Sequence, residues 1–236
     1  MEAQKQAKTF SQTGVPFSIL EPLHHAPLKI SAVHTRDEDE YSCFGKTNIP
    51  KLISEASTFL SKNSDAEKSA VASILQEFME ATMEYCTKQE GNPTTACWLK
   101  VQISKPTDDW RIPRWHRDGI MYASECEIKG TVHSKYAVTL VGPSTLVLEE
   151  NDLVAEVMQR ERVSGNWRLK CAKALSGERP IPVKKGRVIR FTFGQKNSPV
   201  HSEPHINVDR VFVSVLYGTE AELRTICAWR CQTYRR

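Results

Sequence analysis

Long apolar runs are missing from this chain of 236 residues. Its mean hydropathy is −0.43, and no stretch approaches the roughly 20 apolar residues that a membrane helix requires. The opening MEAQKQAKTF has no apolar core of the kind a secretory signal carries, so the expectation is a cytoplasmic or nuclear protein with no membrane partner. A disulfide pattern is missing too. The seven cysteines (Cys43, Cys86, Cys97, Cys126, Cys171, Cys227 and Cys231) are scattered and odd in number, which speaks for reduced thiols. Cys227 and Cys231 are too few for a zinc site, and on a strand they would share one face and pack. Strong charge is absent: the net charge is +4 and the pI about 8.6. That is too mild to name nucleic acid as a partner, though it leaves room for an acidic substrate. There is no internal repeat and no low-complexity tract. What is there, 40% hydrophobic and 25% charged residues, suits one globular domain with a sizeable core.

Along the chain, Met1 to about Thr35 reads as a polar, irregular leader punctuated by Pro16, Pro22 and Pro27, with His24 and His25 in a solvated loop. The run Arg36–Tyr41 reads as a solvated loop as well. Two helices follow. Lys51–Leu60 places Leu52, Ile53, Ala56 and Leu60 at helical spacing behind Pro50. Asp65 is placed to cap a longer helix whose stripe is Val71, Ile74, Leu75, Phe78 and Met79. That stripe reads as packing against a sheet. Gly91-Asn92-Pro93 ends it, and strand-like composition takes over: Ala96–Ser104, Ile112–Gly119, Tyr136–Val141, Ser144–Glu149, Gly186–Phe193, a short Val200-His201, Arg210–Tyr217 and a last segment Thr225–Trp229. Asn151 to about Pro182 interrupts the strands. Asn151 can cap a short helix carrying Leu153, Val154, Val157 and Met158, and the rest is basic, with Arg160, Arg162, Arg168, Lys170 and Lys173. An insertion of this length between strands is more often functional than core. Many short strands behind a helical N-terminus predict a mainly β, α+β fold of sandwich or jelly-roll type.

One stretch carries chemistry: Trp115-His116-Arg117-Asp118-Gly119. Side chains alternate along a strand, so His116 and Asp118 project to one side and Trp115 and Arg117 to the other. An imidazole and a carboxylate on one face need a second imidazole to make a 2-His-1-carboxylate triad, which leaves coordination positions open. The tripeptide alone is equally a polar strand edge. Downstream, Val200-His201 offers the second imidazole, with Arg210 following it. His205 also precedes Arg210, by five residues and behind Pro204, and is the lesser candidate. His34 and His133 have no partner at ligand spacing, and His133 falls in a polar turn near Gly130. Glu149, Glu150 and Asp209 read as surface charges.

The ordered set His116-Arg117-Asp118, then Gly186-Arg187-Val188-Ile189-Arg190-Phe191, then Val200-His201, then Arg210 resembles the Fe(II)/2-oxoglutarate-dependent dioxygenase superfamily, over about Cys97 to Gly218. The resemblance implies a double-stranded β-helix (jelly roll) with a helical N-terminal support. It implies residues 1–95 as leader and supporting helices and 96–236 as the catalytic core, with the insertion at about 151–182. It implies Fe(II) held by His116, Asp118 and His201, and 2-oxoglutarate with its far carboxylate gripped by Arg210, whose planar guanidinium can take a carboxylate in a bidentate fork. By the same resemblance, 2-oxoglutarate would be oxidised to succinate and carbon dioxide while hydrogen is abstracted from a substrate C–H bond. Phe212 departs from the small or hydroxylated residue that many relatives carry two places after the arginine. Ser214, one step further on the same face, is the candidate to complete the carboxylate pocket. Leu216 stands where the nucleic-acid dealkylase branch has a second arginine. Arg114 shares the face of His116 and is a candidate to meet a substrate or cosubstrate carboxylate, or else it lies in solvent. Gln102 and Trp110 are candidates to line the pocket.

Two rival readings remain at this stage. One is a non-catalytic jelly-roll binding protein that keeps the triad as a metal staple, favoured by Phe212. The other is a nucleic-acid-directed oxygenase using Arg160–Lys173 and Arg235-Arg236 as a phosphate-binding surface. The substrate, small or macromolecular, is not named by any motif. The insertion and the N-terminal segment are the expected lid.

Overall fold

The computed structural model describes residues 15–26, 28–34, 39–118, 133–160, 166–193 and 198–235. Its strands are β1 (Phe17–Pro22), β2 (Glu40–Lys46), β3 (Ala96–Ser104), β4 (His133–Val141), β5 (Leu146–Val147), β6 (Arg187–Phe193), β7 (His201–Ser202), β8 (Arg210–Gly218) and β9 (Tyr234–Arg235). Its helices are α1 (Ile49–Lys62), α2 (Lys68–Lys88), α3 (Asp152–Arg160), α4 (Trp167–Ala174) and α5 (Glu220–Trp229). Gly119, Cys126, Gly130, Arg162 and Arg236 lie outside the described residues, as do the first 14 residues of the expected leader. Among the described residues no helix is long and apolar enough to cross a membrane.

Period-two alternation builds a seven-stranded sheet in the order β1-β6-β4-β8-β3-β2-β9. On β8, Val211, Val213, Val215 and Tyr217 face the helices; on β3, Leu99, Val101 and Ile103 do the same, in one cluster with the buried stripes of α1 and α2. The Tyr217 hydroxyl pins α2 to this face through Thr82 Oγ1 at 2.9 Å and the Met79 carbonyl at 3.1 Å. The opposite face carries Lys100, Gln102, Lys135, Ala137, Arg210, Phe212 and Ser214, brought side by side by the register Lys100↔Ser214↔Ala137. A second layer lies against that face. It consists of the β5–β7 pair, extended on one side by the bridge His116↔His201 and on the other by the Ile181 N–H donating to the Val147 carbonyl at 2.7 Å. Two layers, antiparallel except where β9 joins β2 in parallel at one edge, make with this crossover order a jelly roll with helices on the outside of the larger layer, so the fold is mainly β with a helical support.

A buried ion pair ties the end of α2 to the large sheet. Arg190 Nε meets Glu90 Oε1 at 2.6 Å with both side chains 3% exposed, and the Tyr136 hydroxyl donates to Glu90 Oε2 at 2.9 Å. Gly142, at φ +82°, allows the turn after β4 to press on β8, where a side chain would meet the Asp209 carbonyl and the Arg210 backbone.

Several local expectations change. Phe17–Pro22 of the expected leader form β1, the edge strand paired with β6, and Glu40-Tyr41 begins β2, so the N-terminal 95 residues contribute strands to the large sheet as well as support. Asp65 does not cap α2, whose N-cap position is held by Glu67. Its carboxylate instead accepts from the Ser31 and Ala32 N–H groups. The segment 112–118 is not a regular strand. Pro113 has no N–H, the Arg114 N–H goes to the Ser202 hydroxyl at 2.8 Å, and only His116 exchanges ladder bonds with its neighbour. Ser144–Glu149 narrows to the two residues of β5. His133 opens β4 opposite Phe193 instead of lying in a turn. Thr225–Trp229 belongs to helix α5, begun by a capping box in which Thr219 and Glu222 satisfy each other's backbone N–H. Cys227 is therefore a buried helix residue and not a strand neighbour of Cys231.

The insertion carries a hydrophobic core of its own. Val154, Val157 and Met158 of α3 and Cys171 and Leu175 of the α4 end pack with Trp115, Leu148 and Val200. Trp115 and Val200 are the residues just before His116 and His201. The insertion is thus the hydrophobic backing of the small layer, and removing it would strip the support from the residues flanking both histidines.

Candidate metal centre

His116 and His201 stand opposite each other in the small layer, exchanging N–H···O bonds of 2.9 Å in both directions. That pairing puts their rings on the same side, with centroids 4.3 Å apart. Asp118, two residues after His116, turns its Oδ1 to within 3.8 Å of His116 Nε2 and 3.7 Å of His201 Nε2. Ligand atoms of these three residues all lie within 4.8 Å of one another, the one such cluster of metal-ligating side chains among the described residues.

The imidazoles are oriented for ligation. His116 Nδ1 donates to the Arg114 carbonyl at 2.7 Å and His201 Nδ1 to the Pro199 carbonyl at 3.0 Å. With the proton on Nδ1, each Nε2 keeps its lone pair and faces the shared centre, the arrangement that fixes tautomer and ring angle in metal sites. Burial lowers both histidines from their ordinary value, His201 to about 4, so both are neutral near pH 7. Burial pushes the Asp118 carboxyl up, but the Lys135 ammonium and the two imidazoles outweigh it and hold the group below the usual carboxylate range. Two neutral nitrogens and one anionic oxygen on one side of a space form a facial donor set that fits a divalent first-row metal and leaves its other side open.

The ligand segment is clamped by side chains more than by ladder bonds. Arg117 reaches Glu150 in a two-pronged contact at 2.6 and 2.8 Å and also donates to the Ser198 carbonyl. Arg114 grips Glu203 at 2.6 and 3.3 Å with its side chain 38% exposed, so its guanidinium is already engaged by a carboxylate of the chain. Two guanidiniums lie near the Trp110 ring, Arg114 at 5.5 Å and Arg168 at 5.2 Å. Arg168 itself donates to the Ile112 and Asp109 carbonyls. Half-exposed His205 lies apart from the cluster, near Asp108.

Arg210 is 3% exposed. Its Nε donates to the Pro143 carbonyl at 3.0 Å, its Nη2 to Thr145 Oγ1 at 3.2 Å, and its guanidinium lies 4.7 Å from the Phe212 ring centre. No carboxylate pairs with it among the described residues. Glu203, whose charge acts on it from further off, is already held by Arg114, and burial lowers the Arg210 pKa to about 10. Ser214 is buried four residues on, on the same face. Gln102 stands beside Phe212 in the ladder.

Lys135, Glu150, Ser202 and Glu203 are site residues that sequence reading misses. Lys135 Nζ lies 2.9 Å from Asp118 Oδ2. Its signal is a lysine on the inward phase of a strand whose next inward residue is Ala137, visible only if that strand is started before Tyr136.

No family model and no curated protein matches this chain. Among solved structures, a truncated viral collagen prolyl hydroxylase, vCPH, from Paramecium Bursaria Chlorella virus-1 aligns over 80% of this chain and 98% of its own, at 13% identity and a TM-score of 0.38. A prolyl hydroxylase from Trichoplax adhaerens in complex with a hypoxia inducible factor oxygen degradation domain peptide fragment aligns over 90% and 88%, at 9% identity and 0.39. A protein called EvdMO1 aligns over 58% of this chain and 30% of its own, at 16% identity and 0.34. Superpositions this partial carry no chemistry across, and the functional reading rests on the chain's own donor atoms.

Proposed function

We propose that this chain is an Fe(II)/2-oxoglutarate-dependent oxygenase that hydroxylates or otherwise oxidises a C–H bond of its substrate. The observation that carries the reading is the convergence of His116 Nε2, His201 Nε2 and Asp118 Oδ1 on one point, with each Nδ1 committed to a backbone carbonyl. Such a donor set suits Fe(II) with open positions for a chelating cosubstrate. A buried cation without a carboxylate partner is costly. Arg210 is one, which supports its role as the anchor of the 2-oxoglutarate C5-carboxylate, with Ser214 beside it. When bound, metal and cosubstrate supply the oxidation, converting 2-oxoglutarate to succinate and carbon dioxide. The chain's own work is to keep both imidazoles neutral, hold Asp118 ionised, and pack Phe191 on His201 and Phe212 on Arg210.

One observation favours the metal-stapled scaffold as a second reading. Arg210 already bonds Pro143 and Thr145 and stacks on Phe212, so it also serves as a latch between the turn after β4 and β8.

Anaerobic addition of Fe(II) and 2-oxoglutarate, watched for the weak visible charge-transfer band of the chelate, separates the two. The proposal expects a band that vanishes in His116→Ala and needs more 2-oxoglutarate in Arg210→Ala. Bound iron without a band supports the scaffold, and absence of iron binding overturns the metal centre itself.

A further inference from the structure

Asp118 divides its two oxygens between two tasks. Oδ1 faces both imidazole Nε2 atoms, at 3.8 and 3.7 Å, while Oδ2 faces Lys135 Nζ at 2.9 Å. Lys135 is not a surface lysine that happens to reach inward. Its side chain is 18% exposed, it sits in the ladder between Phe191 of β6 and Leu216 of β8, and its ammonium lies 5.5 Å from the centre of the Phe191 ring. That ring in turn packs on His201, with centroids 4.8 Å apart. The ammonium is therefore held in place by the sheet and not merely drawn in by the carboxylate.

The consequence is a matter of charge. Two neutral imidazoles, one carboxylate and one ammonium sum to zero before any ligand arrives. The other charged pair close by, Arg114 with Glu203, also cancels. A divalent cation entering this site meets no net attraction, only the local pull of one carboxylate already shared with an ammonium. Once the cation is in, the metal end of the site carries two positive charges and Arg210 adds a third at the far end, so a dicarboxylate is drawn to both. Without the lysine the same site would attract the cation more strongly and a dicarboxylate less.

Resting on the iron and 2-oxoglutarate reading above, we infer that Lys135 is a positioning residue that trades metal affinity for cosubstrate affinity. It holds Asp118 to single-oxygen ligation, weakens the resting site's grip on the divalent ion, and makes a doubly negative cosubstrate the partner that completes it. In the partly buried interior such like-charge and opposite-charge effects are strong enough to be read directly in binding constants.

The two affinities must then move in opposite directions when the charge is removed, which a purely structural role would not produce. The test uses the full chain, Mn(II) as the metal probe and 2-oxoglutarate as the cosubstrate, by calorimetry under argon. First Mn(II) alone is titrated, then 2-oxoglutarate at saturating Mn(II). Lys135→Met keeps the stem packing on Phe191 and removes the charge; it should bind Mn(II) about fivefold or more tighter and 2-oxoglutarate about tenfold or more weaker than the parent chain. Lys135→Arg keeps the charge and should leave both constants within about threefold. Lys135→Gln repeats the measurement should the methionine variant not fold. Losses in both affinities, or no change in either, would overturn the inference, as would an arginine variant that behaves like the methionine one. If the parent chain binds no Mn(II), the metal reading fails and the inference with it. If it binds Mn(II) and 2-oxoglutarate but the variants move together, only the role of Lys135 fails.

Discussion

The two layers of this jelly roll are built on different principles. The large sheet is held by its ladders: β3 and β8 pair without interruption from Ala96↔Gly218 to Ser104↔Arg210, and one apolar face packs on two helices. The small layer has strands of two residues and a single bridge where His116 meets His201. It is kept in place by side chains, through the arginine clamps on Glu150, Ser198 and Glu203 and the α3–α4 backing. All three candidate ligands sit on the layer with the fewest ladder bonds. A metal site needs open positions and close approach of chain segments, and a continuous ladder would supply neither. Long-range side-chain clamps fix the ligands instead.

That contrast can be broken most sharply from behind the small layer. Val154 is fully buried against Trp115 and Val200. Val154→Asp should cost about 3–5 kcal/mol through an unpaired buried charge and abolish Mn(II) binding while the circular dichroism of α1 and α2 persists; retained metal binding would show that the backing does not hold the ligands. The matching change in the large sheet is Leu99→Ala, which should cost roughly 2–5 kcal/mol in urea unfolding yet leave Mn(II) affinity of the folded fraction unchanged. A comparable loss of affinity there would mean the two layers are not separable. Arg117→Gln tests the clamps. Outer-sphere partners are worth roughly 10–100-fold in metal affinity, so Mn(II) binding should weaken by at least the lower figure with little change in the urea midpoint. The smallest effect is expected at Glu77, which accepts N–H bonds from His24 and His25 and meets His25 Nδ1 at 2.7 Å. Burial raises this carboxyl, but those donors outweigh it and leave it below its ordinary value of about 4.5. A lowered folded pKa means stability present above the unfolded value and lost as pH falls through the folded one. The parent chain should therefore exceed Glu77→Gln in stability at pH 7, the gap should close below about pH 4.5, and Mn(II) binding at pH 7 should be the same in both.

Legibility in the sequence follows the same division. Ala96–Ser104 and Arg210–Tyr217 are readable because eight or nine residues rich in β-branched and aromatic side chains leave little else for them to be. The helical stripe from Val71 to Met79 is equally plain. His116, Asp118 and His201 are nameable before any coordinates because their order along the chain, with Arg210 behind, is a pattern of its own. The small layer is not readable: a two-residue strand has no period, and nothing local in Ile112–Asp118 announces that Pro113 and the Ser202 hydroxyl break the ladder. Helix α4 buries only Cys171 on its own face, so it offers no stripe. Helix α5 is missed although Thr219-Glu220-Ala221-Glu222 is a start signal, because the apolar residues after it suit a strand as well. Lys135 is lost by a single residue of strand boundary.

Both histidines take their ring orientation from the carbonyl two residues earlier in their own segment, Arg114 for His116 and Pro199 for His201. A backbone oxygen is the same atom whatever side chain its residue carries. The aim of each lone pair is therefore written into the path of the main chain and is insulated from substitution at the very positions that set it. Sequences could drift far around such a pair, to the point where no common pattern of residues remains between two chains, and still present the same two nitrogens to the same ion.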